Sequence, residues 1–226
     1  MNAVREFKNN LYEYFAQIGK AISSPRRLEI LDLLCQGKKS VEDLAKQAQL
    51  NVKSTSAHLK VLHAARLVVP QRSGKRVYYA VADPTVADYW LKTRAMAEQR
   101  FAEIEHAVQY FFEGRAAMEP PDRQALLDGV QRGEIVVLDV RPASEYAQGH
   151  LPNARSLPLA ELEQRLAELP RNKHIAAYCR GPYCVLSAEA VRTLQRHGFK
   201  ATRLSDGTLE WQAAGLPIVR EMAWER

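Results

Sequence analysis

The segment EGRAAMEPPDR, residues 113–123, most constrains how this chain can fold, because the patterns on its two sides differ. It follows a long helical pattern and contains Pro120 and Pro121, which cannot continue a helix. With 226 residues the chain has room for two ordinary domains. We therefore predict a multidomain protein with domains at residues 1–113 and 122–226, joined by a linker at residues 114–121.

Positive charge is concentrated in the first half. Residues 1–118 carry 18 Lys and Arg against 12 Asp and Glu, whereas residues 119–226 carry 14 against 14, so the net charge of +6 belongs to the first half. Such an asymmetry favours contact between that half and a polyanion. The alternative is a solvated basic face, which charge alone does not exclude.

No stretch of the sequence has the pattern of a membrane span. The N-terminus is charged at Arg5, Glu6 and Lys8, and nowhere do eighteen apolar residues follow one another. Three cysteines are too few for a disulfide framework and suit a reducing compartment with free thiols. We expect a soluble, cytoplasmic protein with no membrane partner.

The first half has mainly helical patterns. Apolar residues at helical spacing predict a helix over residues 4–21 and a long one over residues 84–112. Between them, Ser24 as N-cap and Pro25 at the first helical position begin a further helix, which Gly37 ends. The large apolar residues of the first and last helices exceed what one small core requires, which predicts an isologous dimer.

A helix-turn-helix and a β-hairpin follow one another in the same half. Ser40 and Asp43 hold capping-box positions of a short helix, and the turn NVK leads into a second helix over residues 54–64. Ser73 and Gly74 then lie between two β-prone flanks, LVVPQR and KRVYYAV. We predict a winged helix-turn-helix.

This arrangement suits DNA. The helix over residues 54–64 would present short polar side chains to base edges and lysines to phosphates, with Leu59, Val61 and Leu62 facing the core. Basic residues at the wing tip would lie along the backbone or enter the minor groove. For a single residue, capping or solvation of the helix is an equal alternative, but the whole set favours DNA. The candidate contacts are Lys53, Ser54, Thr55, Ser56, His58, Lys60, Arg72, Lys75 and Arg76.

The stretch from PRRLEILDLLCQG to GKRVYYAV closely resembles the ArsR-type winged-helix repressors, over roughly residues 10–112. The resemblance implies a homodimer, formed by the first and last helices, that binds palindromic double-stranded operator DNA. The metal ligands of the family's sensors are not matched, since SVEDLA has no cysteine and His106 is the one histidine of the last helix. We expect no metal and no cofactor. Cys35, in an apolar helical run, is predicted to be a buried packing residue.

The second half alternates strands and helices. EIVVLDV, HIAAYC and KATRLSD are short β-prone runs, and AELEQRLAELP and VLSAEAVRTLQRHG are helical. This alternation predicts an α/β domain with a parallel sheet flanked by helices. In such sheets functional groups collect where strands end and helices begin, which is where Cys179 stands.

Two motifs resemble those of rhodanese, or sulfurtransferase, domains over roughly residues 120–220: VVLDVRPASEYAQGHLPNARSLPL and LSDGTLEWQAAGLPI. The resemblance implies that Cys179 is the persulfide-forming cysteine. We expect Asp139 and Arg141 to bridge strand and loop, and His150 to be a satisfied core group rather than a catalytic base. The matched residues of the first motif include Asp139, Arg141, Glu145, Gly149 and His150.

The loop that follows Cys179 adds a physical reason for a reactive thiol. Inward-facing backbone N–H groups and a helix N-terminus near Cys184 would stabilise a thiolate, and Arg180 either adds positive charge or points to solvent. Rhodaneses commonly place Arg or another polar group where this chain has Cys184, which argues against efficient thiosulfate turnover. Val185, where related phosphatases need Arg, argues against phosphatase activity. Cys184 is instead a candidate resolving thiol. The catalytic candidates are Cys179, Arg180 and Cys184.

Three functions remain open from the sequence. The leading one is a DNA-binding transcriptional regulator, expected to be a repressor, whose rhodanese domain accepts sulfane sulfur on Cys179 and switches through Cys184. The second is a sulfurtransferase enzyme with a DNA-binding module, and the third is a general thiol oxidant sensor. The sulfur donor would be thiosulfate, a polysulfide or a persulfide.

Overall fold

The structure is a computed structural model that describes residues 3–74, 76–112, 118–119 and 122–221. It divides into two compact units, Met1–Arg94 and Ala95–Arg226. The predicted contact residue Lys75 and most of the predicted linker lie outside the described residues. Within the described part of the chain, no helix has the length and apolar character needed to cross a membrane.

The first unit is mainly helical with a small antiparallel sheet. The sheet has the strand order β1-β3-β2, and its two longer strands form the predicted wing, with Ser73 opposite Arg76 at the tip. The short strand β1 has no counterpart in the sequence predictions because two residues show no periodicity. The elements are α1 (Ala3–Ile22), α2 (Pro25–Cys35), β1 (Lys39–Ser40), α3 (Val41–Gln47), α4 (Val52–Ala64), β2 (Val68–Ser73), β3 (Arg76–Val81) and the start of α5 (Pro84–Arg100).

Local capping explains where the helices of this unit begin. The Ser40 hydroxyl accepts from the backbone N–H of Asp43 and donates to its carboxylate, as the sequence predicts for α3. Ser24 is the N-cap residue of α2 with Pro25 following it, but its side chain makes no capping hydrogen bond. Helix α4 begins at Val52 rather than Ser54, because Asn51 Oδ1 accepts from the Ser54 N–H and caps the helix earlier.

One apolar core holds the first unit together, and it is built from the buried faces of α2, α3 and α4. Leu59 and Leu62 lie in it as predicted, whereas Val61 is exposed, so its predicted core position is wrong. A helix turns about 100° per residue, so Val61 lies well away from the face that Leu59 and Leu62 share. Other members are Ile30, Leu31, Leu34, Leu44 and Val68.

The second unit contains a parallel sheet of five strands in the order β4-β8-β7-β5-β6, flanked by helices. The three predicted strands correspond to β5, β7 and β8. The predicted long helix over residues 84–112 is interrupted at Phe101 and continues as α6. The elements are α6 (Ala102–Phe112), β4 (Met118–Glu119), α7 (Arg123–Gln131), β5 (Ile135–Asp139), α8 (Ala143–Gln148), β6 (Arg155–Ser156), α9 (Leu159–Leu162), a 3-10 helix (Glu163–Glu168), β7 (His174–Tyr178), α10 (Val185–Arg196), β8 (Ala201–Leu204) and α11 (Thr208–Ala213).

The strand β4 lies inside the segment predicted as a linker. Met118 pairs with Arg203 and Glu119 with Leu204, so β8 supplies the pairing that makes this short stretch a strand. Two residues carry no periodic signal, and neighbouring prolines obscure them further. The domain bounds at residues 113 and 122 themselves remain a prediction.

Alternation along the central strands assigns their side chains to two cores. Ile175, Ala177 and Cys179 share the core that contains the inner face of α10, while Tyr178 lies with Trp211 in the core on the other side. Cys179 therefore leaves β7 on the α10 side of the sheet. Because β7 is flanked by β5 and β8, the residues after it emerge at the centre of the sheet edge.

Candidate functional site

The loop of residues 179–184 joins the carboxyl end of β7 to the N-terminus of α10. Gly181 has φ 127°, a conformation that favours glycine, and the Cys184 N–H donates to Gly181 O at 3.2 Å. Cys184 is the N-cap residue of α10, a helix of 12 residues. This places the two cysteines at the position in a parallel sheet where ligands usually bind.

The structure joins Cys179 and Cys184 in a disulfide, with their Cα atoms 6.2 Å apart. Cys179 is 1% exposed, whereas Cys184 is half-buried. The prediction of free thiols is therefore wrong for this pair, because the curved loop brings two cysteines of separation five within bonding reach. Cys35, predicted to be a buried packing residue, is half-buried in the first unit and takes no part in this disulfide.

Arg180 points neither to solvent nor towards an open binding surface. Its Nη2 and Nε donate to the two carboxylate oxygens of Glu145 at 2.7 and 3.0 Å. Glu145, on α8, is 1% exposed, and the Arg180 side chain is 15% exposed. Sequence reasoning placed Glu145 in a family motif without assigning it to the cysteine loop, since the two residues are 35 positions apart.

The turn that precedes α11 packs closely against the backbone of the cysteine loop. A Cβ atom at Gly207 would lie 2.7 Å from both the Arg180 carbonyl carbon and the Gly181 nitrogen, so only glycine allows this close approach. The Gly207 N–H donates to Glu210 Oε2 at 2.8 Å. The same carboxylate lies close to Gly181, where a Cβ atom would be 2.9 Å from Glu210 Oε1.

A buried ion pair fixes the neighbouring strand end. Arg141 donates to both oxygens of Asp139, with 2.6 Å between Nη2 and Oδ2, and both side chains are fully buried. Tyr178 Oη donates to Asp139 Oδ2 at 2.5 Å, directly before the cysteine loop. Burial opposes the charge on Arg141, but its hydrogen bonds to Asp139 and the charge of Asp139 outweigh burial and raise its pKa. Burial and the Asp139 charge raise the pKa of Tyr178 well above its usual value. The predicted bridge between strand and loop is present.

His150 and Arg203 complete the surroundings of the strand ends. The His150 ring stacks on Tyr146, and its Nδ1 lies 2.9 Å from Tyr146 O, an arrangement that suits a satisfied core group. Arg203, on β8, is fully buried and donates through Nη2 to Pro182 O in the cysteine loop. Burial lowers the pKa of Arg203. No motif in the sequence analysis pointed to Arg203; its alternating position in the strand KATRLSD was the available signal.

The described residues among the predicted DNA contacts lie along α4, from Lys53 to Lys60, and on the two strands of the wing. Lys53, Lys60, Arg72 and Arg76 are exposed, and Ser54, Ser56 and His58 are half-buried. Thr55 is fully buried, and its hydroxyl donates to Asn51 O at 3.0 Å. Its predicted base contact is wrong, because α4 turns this side chain into the core.

Helix α1 leaves an apolar face exposed in the single chain. Phe7 is 64% exposed and Tyr14 is 68% exposed, although both are large and apolar. Along this 20-residue helix only Ala21 is buried. The residues of this face, which we call the α1 face, are Val4, Phe7, Leu11, Tyr14 and Phe15.

Comparison with known proteins places both halves in families. Residues 24–69 match the family of bacterial regulatory proteins of the arsR type, and residues 122–214 match the rhodanese-like domain. The HTH-type transcriptional regulator Rv0324 of Mycobacterium tuberculosis is 41% identical over 214 residues, which cover 93% of this chain and 92% of that protein.

Shorter similarities cover single halves. A sulfurtransferase of Allochromatium vinosum is 32% identical over 87 residues, 38% of this chain and 79% of that protein. A solved structure, the homodimeric winged helix-turn-helix DNA-binding domain (fragment 1–100) of Mb0332 from Mycobacterium bovis, is 38% identical, covers 41% of this chain and 85% of its own, and has a TM-score of 0.40.

Proposed function

Because this chain belongs to the ArsR-family transcriptional regulators and carries a C-terminal rhodanese domain, we propose that it represses transcription under the control of sulfane sulfur. In this proposal Cys179 accepts the sulfur and Cys184 resolves it. The observation that supports it is the pairing of these two cysteines in the loop between β7 and α10.

The position of the loop favours a thiolate at Cys179 in the reduced protein. The N-terminus of α10 carries a partial positive charge and unpaired N–H groups, both of which stabilise an anion nearby. Arg203 adds a buried positive charge on the other side of the loop, at Pro182 O. Such surroundings lower the cost of ionising a thiol, and the thiolate is the nucleophile.

Two balanced steps link sulfur to the disulfide. The Cys179 thiolate attacks the outer sulfur of a persulfide R–S–SH; the donor's S–S bond breaks, R–S⁻ leaves, and Cys179 holds –S–SH. The Cys184 thiolate then attacks the Cys179 sulfur, which forms the Cys179–Cys184 bond and releases HS⁻. The donor supplies the oxidising equivalent in the first step, so no further oxidant is needed.

The sulfurtransferase similarity makes enzymatic turnover the competing function. A sulfurtransferase would pass sulfur from Cys179 to an external acceptor such as cyanide, and would do so repeatedly. A sensor would instead release the sulfur once as HS⁻, form the Cys179–Cys184 disulfide and stop. A general oxidant sensor would form the same disulfide with peroxide as readily as with polysulfide.

The test is an operator-binding titration of the full chain with a duplex that this chain selects from random-sequence DNA. Reduced, polysulfide-treated and peroxide-treated protein are compared, and the cysteine loop of each sample is analysed by mass spectrometry. If the reduced protein is the repressor, it should bind the operator tightly, and treatment with polysulfide should weaken that binding. Equal affinity in all three states, together with rapid thiosulfate:cyanide turnover, would support the enzyme instead.

The proposed DNA surface consists of the exposed and half-buried polar residues of α4 together with the wing. Lys53 and Lys60 are placed for phosphates, and Ser54, Ser56 and His58 for base edges. Arg72 and Arg76 extend the positive charge along the wing. Lys75, which follows Gly74 in the sequence, is part of the proposal from its sequence position alone.

Replacing the wing charges should weaken DNA binding without changing sequence preference. Because each phosphate contact releases counterions, Arg72→Ala and Arg76→Ala should each lower affinity for all duplexes and flatten the slope of log K against log salt by about 0.9. Fluorescence anisotropy at several salt concentrations measures both. Arg132→Ala, which removes one exposed charge from the second unit, is the matched control. An unchanged affinity after removal of both wing charges would contradict the wing assignment.

We also propose that the α1 face lies in a homodimer interface. Five large apolar side chains on one face of a helix are costly to leave in water, and pairing with a second copy would bury them.

A charge on the α1 face should therefore break the dimer. Phe7→Asp is expected to give monomers in light scattering at micromolar concentration, because an unpaired carboxylate would be buried in the interface. Asn9→Asp adds the same charge roughly 200° around the helix and should leave the dimer intact. Dimers from both variants would show that the α1 face is not the interface.

A further inference from the structure

The ion pair between Arg180 and Glu145 determines how much positive charge the loop of residues 179–184 presents to a sulfur donor. Two hydrogen bonds of 2.7 and 3.0 Å hold the guanidinium against a carboxylate that is almost completely buried. If Arg180 turned towards a donor, the buried Glu145 carboxylate would lose both of these charge-assisted hydrogen bonds, which is unfavourable. Arg180 is the one cation among residues 179–184, so the loop presents little net positive charge to solvent.

The other charged residues around the loop do not add net positive charge to its exposed surface. The Glu210 carboxylate lies against Gly181 from the α11 side, which adds negative charge next to the backbone. Arg203 is positive, but it is fully buried and donates to Pro182 O from beneath the loop. It can stabilise the loop and a thiolate, but it adds no positive charge to the exposed surface of the loop.

We propose that this loop takes its sulfur from thiol persulfides, which carry little charge, rather than from thiosulfate, and that Glu145 sets this preference by neutralising Arg180. The inference rests on sulfur acceptance at Cys179 as proposed above. Thiosulfate carries two negative charges and must leave as sulfite, which also carries two. When a thiol persulfide donates its outer sulfur, the leaving group is a thiolate, which carries a single negative charge. Since charge repulsion scales with the product of the charges, the dianion is disfavoured more strongly.

The test measures the initial rate at which reduced full-length protein is converted to the Cys179 persulfide or to the Cys179–Cys184 disulfide that follows from it, both counted by mass spectrometry, with cysteine persulfide or thiosulfate as donor. The informative quantity is the ratio of the two rates, because the two donors differ in intrinsic reactivity. Wild-type protein is expected to react at least about tenfold faster with the persulfide. Glu145→Gln, which releases Arg180 from its ion pair, should raise the thiosulfate rate by about three- to tenfold and change the persulfide rate much less.

Glu163→Gln is the matched control, since it makes the same change at an exposed carboxylate and should leave the ratio unaltered. Should Glu145→Gln fail to fold, Cys184→Arg and Cys184→Ser decide the question. Both remove the resolving thiol, but only Cys184→Arg adds an exposed cation to the loop, so the thiosulfate rate should be higher in that variant.

The outcomes separate this inference from the function on which it rests. Equal ratios in wild type and Glu145→Gln, or in the two Cys184 variants if the first does not fold, would overturn the role of loop charge in donor choice. If neither donor gave the Cys179 persulfide or the Cys179–Cys184 disulfide in the wild-type protein, sulfur acceptance itself would be overturned. A wild-type protein that prefers thiosulfate would retain sulfur acceptance and reject the inferred donor class.

Discussion

Cys179→Ser is expected to abolish both persulfide formation and the sulfur-dependent change in operator binding. A hydroxyl near neutral pH is not appreciably ionised and cannot carry sulfane sulfur, so the first step of the proposed sequence has no nucleophile. The replacement is nearly isosteric at a site that is 1% exposed, so the domain should still fold. Operator affinity with and without polysulfide, measured beside mass spectrometry of the loop, gives both readouts.

Cys184→Ser should separate sulfur uptake from switching. Cys179 would still gain sulfur, but no intramolecular disulfide could form, so the persulfide should persist and the DNA response should be lost or weakened. Cys35→Ser is the control, because Cys35 lies in the first unit and is not part of the disulfide. If the response survived in Cys179→Ser and vanished in Cys35→Ser, the sensor would lie in the DNA-binding half.

The energetic requirement for such a switch is small. A difference of about 1.4 kcal/mol between the reduced and disulfide forms in their preference for the DNA-binding state changes operator affinity about tenfold. Disulfide formation fixes Cys184, the N-cap residue of α10, to the end of β7. Capping of a helix terminus alone contributes about 1 kcal/mol, so a covalent constraint at that position acts on the scale that the switch requires.

Periodic features of the sequence were sufficient for most of the fold. The wing, the capped helix α3 and the three central strands all have patterns of five or more residues, and each is present in the structure. The same patterns put Cys179 at the end of a central strand and Cys184 at a helix N-terminus. What the sequence could suggest about the candidate site came from this placement and from the family resemblance.

Features that depend on contacts between distant residues were not predictable. The partner of Arg180 is Glu145, and the cation beneath the loop is Arg203, neither of which is near it in sequence. Thr55 was placed at DNA from its residue type, but it lies one turn before Leu59 and so shares the buried face of α4. A strand of two residues shows no periodicity in the sequence, so β4 and β6 were not predicted.

Loss of the Asp139 carboxylate is expected to have the largest effect on stability. Asp139 pairs with Arg141, accepts from Tyr178 Oη, and also accepts from the Arg141 backbone N–H at 3.0 Å, all in a fully buried position. In Asp139→Ala the guanidinium stays buried without its counter-ion, which typically costs about 3–5 kcal/mol. Arg141 Nη2 also donates to Gly149 O at 2.7 Å, and this bond offsets only part of the loss.

Hydrogen exchange at the amides of β5 and β7 measures this loss of stability locally. A local measurement is preferable because a chain with two units need not unfold in a single transition. Glu134→Ala is the matched control: it removes a carboxylate next to the other end of β5, from an ion pair with Arg132 that is exposed to water. Exchange in β5 and β7 should accelerate strongly in Asp139→Ala and stay unchanged in Glu134→Ala. Because Tyr178 directly precedes Cys179, the first variant should also slow sulfur uptake. Equal exchange in the two variants would show that the buried ion pair does not hold the strand ends beneath the cysteine loop.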